Sequence, residues 1–130
     1  MEQEPLRIMV IDDESIVGKR LKPALEKTGH VVETFEDGRR ALERFAEQPF
    51  EIVVTDIRMD EIDGIEILEQ ILASDRGTKV IIITGYATVE VAREALSKGA
   101  FDFIAKPFKP NDLRVIIERA AAELQAPAGG

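Results

Sequence analysis

Adjacent carboxylates at Asp12 and Asp13, a further carboxylate at Asp56, the Thr84 hydroxyl beside Gly85 and the Lys106 ammonium are the groups of this chain best equipped for chemistry. Each follows a short apolar run. If those runs are strands, the side chains collect along one rim of a sheet. Taken singly, each is explained as a polar residue capping a strand where water begins. The set is harder to explain that way. Carboxylates converging on one rim repel one another, which costs stability unless a cation sits among them. Mg²⁺ prefers octahedral oxygen coordination and keeps several waters, so two carboxylates, a backbone carbonyl and a phosphoryl oxygen make a suitable incomplete cage. Lys106 then offers a point charge to phosphate, Thr84 a hydrogen bond, and Gly85 room for the incoming group. A carboxylate can act as nucleophile on phosphorus when it is positioned and its charge is offset. Asp56 is the candidate nucleophile, because it alone ends the central strand.

The elements that must position these groups are legible in the spacing. Runs at residues 8–11, 52–54 and 80–83 are short, rich in β-branched residues and without polar alternation, as expected of parallel strands covered on both faces. Residues 31–35 and 103–104 read as weaker strands nearer the edges. Helical spacing joins Val17, Leu21 and Ala24; Ala41, Leu42 and Phe45; Ile65, Leu68 and Leu72; Val89, Ala92 and Leu96; and Leu113, Ile116, Ala120 and Leu124. Gly29 and Gly99 stand where helices should stop, and Pro110 where the last should begin. Pro23 falls inside the first helix and is expected to kink it. Strands alternating with helices imply right-handed crossovers, giving an α/β, flavodoxin-like, five-stranded parallel sheet of order 2-1-3-4-5 with helices on both faces.

With 130 residues, 45% of them hydrophobic, the chain suffices for one core, and residues 1–124 are expected to form it. Residues 125–130 (QAPAGG) read as a linker or fraying tail. The absence of cysteine excludes disulfides, thiolate metal sites and cysteine nucleophiles. A net charge of −8 opposes approach to a polyphosphate backbone, so this stretch is not expected to bind nucleic acid. No apolar run approaches the length of a membrane span, and the N-terminus is acidic rather than a basic leader. A cytoplasmic chain is expected. His30 is expected to be solvated in the turn before the second strand, with no partner for metal binding or phosphorylation.

VIDDE at 10–14, VVTDIRM at 53–59, DG at 63–64, IITGY at 82–86 and GAFDFIAKPF at 99–108 together resemble the receiver domains of two-component response regulators. The resemblance covers residues 6–124. It implies that Asp56 is the phosphoacceptor, that Asp13, Asp56 and the Arg58 backbone carbonyl hold Mg²⁺ while Asp12 acts through water, and that Lys106 pairs with the phosphoryl group. It further implies that Thr84 is the switch hydroxyl and Phe103 the aromatic rotor that follows it. The Lys106–Pro107 bond is cis in such domains. The implied partners are a sensor histidine kinase, a second copy through the fourth helix, fifth strand and fifth helix, and a downstream output domain. Two positions depart from the pattern: Asp60 where Pro is frequent, and Phe103 where many relatives carry Tyr. The stretch at 84–108 is most similar to receivers of enhancer-binding transcription activators that act with an alternative sigma factor.

The competing class is an aspartyl-nucleophile phosphohydrolase, which resembles this set but carries a second Asp as general acid two residues beyond the nucleophile. Arg58 stands there, and no length remains for a substrate-covering cap. Neither G-x-x-x-x-G-K-[ST] nor G-x-G-x-x-G occurs, which excludes the common nucleotide-binding loops. A receiver of a hybrid kinase, a stand-alone regulator and a receiver that binds partners without being phosphorylated share most of these features. No catalytic turnover is expected beyond the domain's own phosphorylation and dephosphorylation.

Overall fold

The computed structural model of the chain describes residues 5–57, 62–75, 77–85 and 89–124. In chain order these form β1 (Arg7–Ile11), α1 (Ser15–Glu26), β2 (Val31–Phe35), α2 (Gly38–Glu47), β3 (Ile52–Asp56), α3 (Gly64–Ser74), β4 (Lys79–Thr84), α4 (Val89–Ser97), β5 (Asp102–Ala105) and α5 (Pro110–Leu124). All strand pairs are parallel and the order is β2-β1-β3-β4-β5, as the alternation predicts. The strands extend one or two residues beyond the apolar runs, so that Asp56 and Thr84 are themselves the last strand residues.

Successive side chains of a strand point to opposite faces, and this divides the core. Ile8, Val10, Ile52, Val54, Ile81 and Ile83 pack with Leu21 and Leu25 of α1 and Leu113, Ile117 and Ala120 of α5. Met9, Ile11, Val53, Val80 and Ile82 pack with Phe45 of α2, Leu68 and Ile71 of α3 and Ala95 of α4. The three inner strands are therefore covered on both sides, which is why they lack alternation.

Local signals set the helix ends. The Asp37 carboxylate accepts from Arg39 N–H at 2.9 Å at the start of α2, and Asp63 from Glu66 N–H at 2.9 Å at the start of α3. Gly29 and Gly99 follow α1 and α4 with φ of +90° and +105°, a left-handed turn that a side chain resists. α1 runs through Pro23, and Lys27 N–H bonds to the Pro23 carbonyl at 3.2 Å.

His30, expected in solvent, is instead buried, with 6% exposure. Its Nδ1 accepts from Leu6 N–H at 3.2 Å, and Val31 N–H bonds to the Leu6 carbonyl at 2.9 Å. The turn after Gly29 brings the imidazole under the start of β1, where its ring nitrogen satisfies a backbone donor that lies outside the ladder. Burial lowers its pKa, against the opposing charge of Glu118 on α5.

Candidate functional site

The rim at the carboxyl ends of the strands gathers most of the predicted groups. Asp12 immediately follows β1, and its own N–H bonds to the Phe35 carbonyl at the end of β2, at 3.0 Å. Asp56 closes β3, in register with Ile83 of β4. Lys106 follows β5, and its N–H bonds to the Thr84 carbonyl at 2.8 Å, so the lysine backbone is anchored to the end of β4.

The Lys106 ammonium lies 2.7 Å from Asp12 Oδ2, 2.8 Å from Asp56 Oδ2 and 2.9 Å from Glu14 Oε1. The Asp12 and Asp56 side chains are 1% and 8% exposed and Lys106 16%, whereas Glu14 is 62% exposed. One cation thus serves three anions, and the sharing bears on the titration of Asp12 and Lys106. Burial and the neighbouring Asp56 charge raise the Asp12 pKa above the ordinary carboxylate value, against the pull of Lys106 and the Glu14 amide. Burial opposes the charge on Lys106, but hydrogen bonds to the carboxylates outweigh it and push the ammonium above the usual lysine value.

The carboxylate oxygens of Asp12, Asp13 and Asp56 come within 4.8 Å of one another, close enough to share one ion. Asp12 Oδ2 is fully buried and, beyond the ion pair, receives no aligned hydrogen bond from a described residue. A buried acceptor in that condition, among hard oxygen donors with one exposed member in Asp13, fits a divalent cation such as Mg²⁺.

Thr84 is completely buried. Phe103 pairs with Ile82 and packs, partly buried, on the α2, α3 and α4 side of the sheet. Thr84 follows Ile82 by two residues and so belongs to that same side. Arg58, Asp60 and Tyr86 lie outside the described residues. The Lys106–Pro107 bond is cis.

Two further participants, Glu14 and Gly64, carry little local sequence signal for their part in the site. Glu14 sits directly after the acidic pair but meets Lys106 across 92 positions of chain. Gly64 donates its N–H to the Ile57 carbonyl at 2.8 Å, and a Cβ there would collide with the Asp56 carbonyl oxygen. Glycine is required because α3 begins against the backbone of the central carboxylate. The DG at 63–64 was the available signal, a cap followed by a residue without a side chain.

Residues 8–118 match the family model described as "Response regulator receiver domain". The chain belongs to that family. It is 42% identical to the regulatory protein AtoC of Escherichia coli K12 over 88% of its own length and 25% of that protein. With the transcriptional regulatory protein ZraR of the same organism it shares 38% identity over 94% of the chain and 28% of the relative. The chain thus spans about a quarter of the length of these curated relatives. Among solved structures, the beryllofluoride-activated NtrC4 receiver domain dimer matches with a TM-score of 0.87 and 32% identity, over 92% of this chain and 98% of that one. This receiver domain is homologous to those of transcription activators of the NtrC type. No helix among its described residues is long and apolar enough to cross a membrane.

Proposed function

We propose that this receiver accepts a phosphoryl group on Asp56 from a sensor histidine kinase, with Mg²⁺ held by Asp13, Asp56 and the Arg58 carbonyl and supported by Asp12. The observation that carries this reading is the ammonium of Lys106 set 2.8 Å from one oxygen of a buried, strand-terminal carboxylate with two more aspartates beside it. When bound, Mg²⁺ offsets the negative charge of the phosphoryl oxygens and of the carboxylates around them.

An Asp56 carboxylate oxygen attacks phosphorus, the bond from phosphorus to the donor atom breaks, and the donor leaves with that electron pair. Lys106, already charged, shifts from the carboxylate to a phosphoryl oxygen. The shallow cleft beside it, about 400 Å³ and lined by Glu14, Val17, Arg20, Leu21 and Phe108, gives a donor group an apolar wall and a cation to rest against. The product carries about two negative charges and strong acceptor oxygens. Thr84 moves toward them and Phe103 turns further in, a coupling supported by their shared face of the sheet. The α4–β5–α5 surface then shifts between two packings, and partners that prefer one are recruited. Val89, Leu96 and Val115 expose apolar surface on α4 and α5, which supports pairing with a second copy, as in the dimeric relative.

Residues 1–124 are the phosphoacceptor domain and residues 125–130 lead toward an output domain that regulates transcription in the cytoplasm. The domain is a signalling element and not an enzyme with a separate substrate.

Incubation with acetyl phosphate and Mg²⁺, followed by intact mass, tests the reading. The wild type should gain one phosphoryl group and Asp56→Asn should not. Equal gain by both, or none by the wild type, rejects it. Sustained turnover of phosphomonoesters would instead favour a phosphohydrolase.

A further inference from the structure

We infer that Glu14 is a positioning residue for Lys106 whose charge weakens the hold of the site on a phosphoryl group, an inference that rests on the phosphoacceptor reading of Asp56. The Glu14 carboxylate touches Lys106 Nζ at 2.9 Å, and its backbone N–H is tied to Asp12 Oδ1 at 2.9 Å. It stands at the N-cap of α1, yet its side chain makes no capping hydrogen bond there. Its reach to a lysine 92 positions away is therefore not explained by the helix.

The three anions around Lys106 are not equivalent. Asp12 and Asp56 belong to the carboxylate set that can hold a divalent cation, and Glu14 does not. A divalent cation held by Asp13 and Asp56 beside Asp12 would offset the charge of Asp12 and Asp56, leaving Glu14 as the partner that stays with the lysine. A phosphoryl group on Asp56 calls for the same ammonium and brings about two negative charges. Glu14 must release the lysine and is left as a like charge beside the phosphoryl oxygens. Both effects have one sign. Neutralising Glu14 frees Lys106 and removes the repulsion, so the phosphoryl-bound state gains relative to the resting one. With the carboxylate mostly in water, screening holds the effect to about two- to fivefold in affinity.

Fluoroberyllate, a stand-in for the phosphoryl group, can be titrated into the 130-residue chain at saturating Mg²⁺ while backbone amide shifts are followed by NMR. Glu14→Gln and Glu14→Ala should both bind it about two- to fivefold more tightly than the wild type, and the gap should narrow as salt is raised from about 0.02 to about 0.5 M. Because the Glu14 side chain caps nothing, both variants should unfold at the same urea concentration as the wild type. A purely structural role predicts weaker binding and lower stability, so tightening separates the two. Wild-type binding with unchanged or weaker binding in both variants overturns the inference, as does tightening that is independent of salt. If the wild type itself fails to bind, the phosphoacceptor reading falls and this inference with it.

Discussion

Replacing Lys106 with methionine should destabilise the domain in a way that Mg²⁺ repairs. The substitution keeps most of the aliphatic stem and removes the charge that Asp12 and Asp56 share at 2.7 and 2.8 Å. Removing one partner of a well-buried ion pair costs about 3–5 kcal/mol, because the remaining charges are left unpaired. Lys106 is 16% exposed and the Glu14 arm is largely in water, so the loss here should be somewhat less, about 2–4 kcal/mol. For a domain of this size that lowers Tm by about 8–16 °C. Urea unfolding at pH 7 with a chelator measures the loss, and the same titration with millimolar Mg²⁺ should recover most of it. Lowering the pH should also relieve the variant. The Asp12 pKa is raised in the folded protein, so its contribution favours folding below the unfolded carboxylate value and is lost as pH rises through the folded one. Asp12→Asn in the Lys106→Met background should recover stability in the chelated protein, a coupling readable by a double-mutant cycle. A loss below about 0.5 kcal/mol, or a loss that Mg²⁺ leaves untouched, would refute the electrostatic reasoning, since only a surface pair behaves that way.

The buried His30 carries a depressed pKa, so its stabilisation is complete above about pH 6.5 and is lost as pH falls toward its folded value. Protonation removes the acceptor for Leu6 N–H, and stability should drop by about 1 kcal/mol at most between pH 7 and 5.5 by urea unfolding, a dependence that His30→Gln abolishes. In Gly64→Ala the new Cβ collides with the Asp56 carbonyl oxygen, and the start of α3 must move. The expected cost is about 2–3 kcal/mol, with slower phosphorylation from acetyl phosphate by intact mass. Asp13→Asn should leave stability within about 0.5 kcal/mol of wild type, because Asp13 is exposed and makes no ion pair with Lys106. It should weaken Mg²⁺ binding by about tenfold or more, as measured by calorimetry of the metal alone.

Strand order and the gathering of Asp12, Asp56, Thr84 and Lys106 on one rim were legible because both follow from short-range signals. Apolar runs of three or four residues between helical periods force a parallel sheet, and the polar residues one or two positions past each run then stand at the same edge. What the local pattern could not carry were contacts between distant positions. His30 reads as a turn residue until Leu6, 24 residues earlier, is placed above its Nδ1. Glu14 is only the last residue of VIDDE until Lys106 arrives beside it. Gly64 is only half of a DG pair in the sequence, and the need for glycine there comes from the Asp56 backbone packed against it. The division of the core into two faces was implicit in the alternation of β1 and β3, but which helices cover which face depends on the crossovers.

Chemical trapping tests the central claim most directly. After brief exposure to acetyl phosphate and Mg²⁺, borohydride reduces an acyl phosphate to the alcohol, and peptide mass spectrometry locates the changed side chain. Phosphoryl acceptance by Asp56 predicts homoserine at position 56, absent when Mg²⁺ is omitted. Homoserine at position 12 or 13 instead, or an unchanged Asp56 under these conditions, would contradict it.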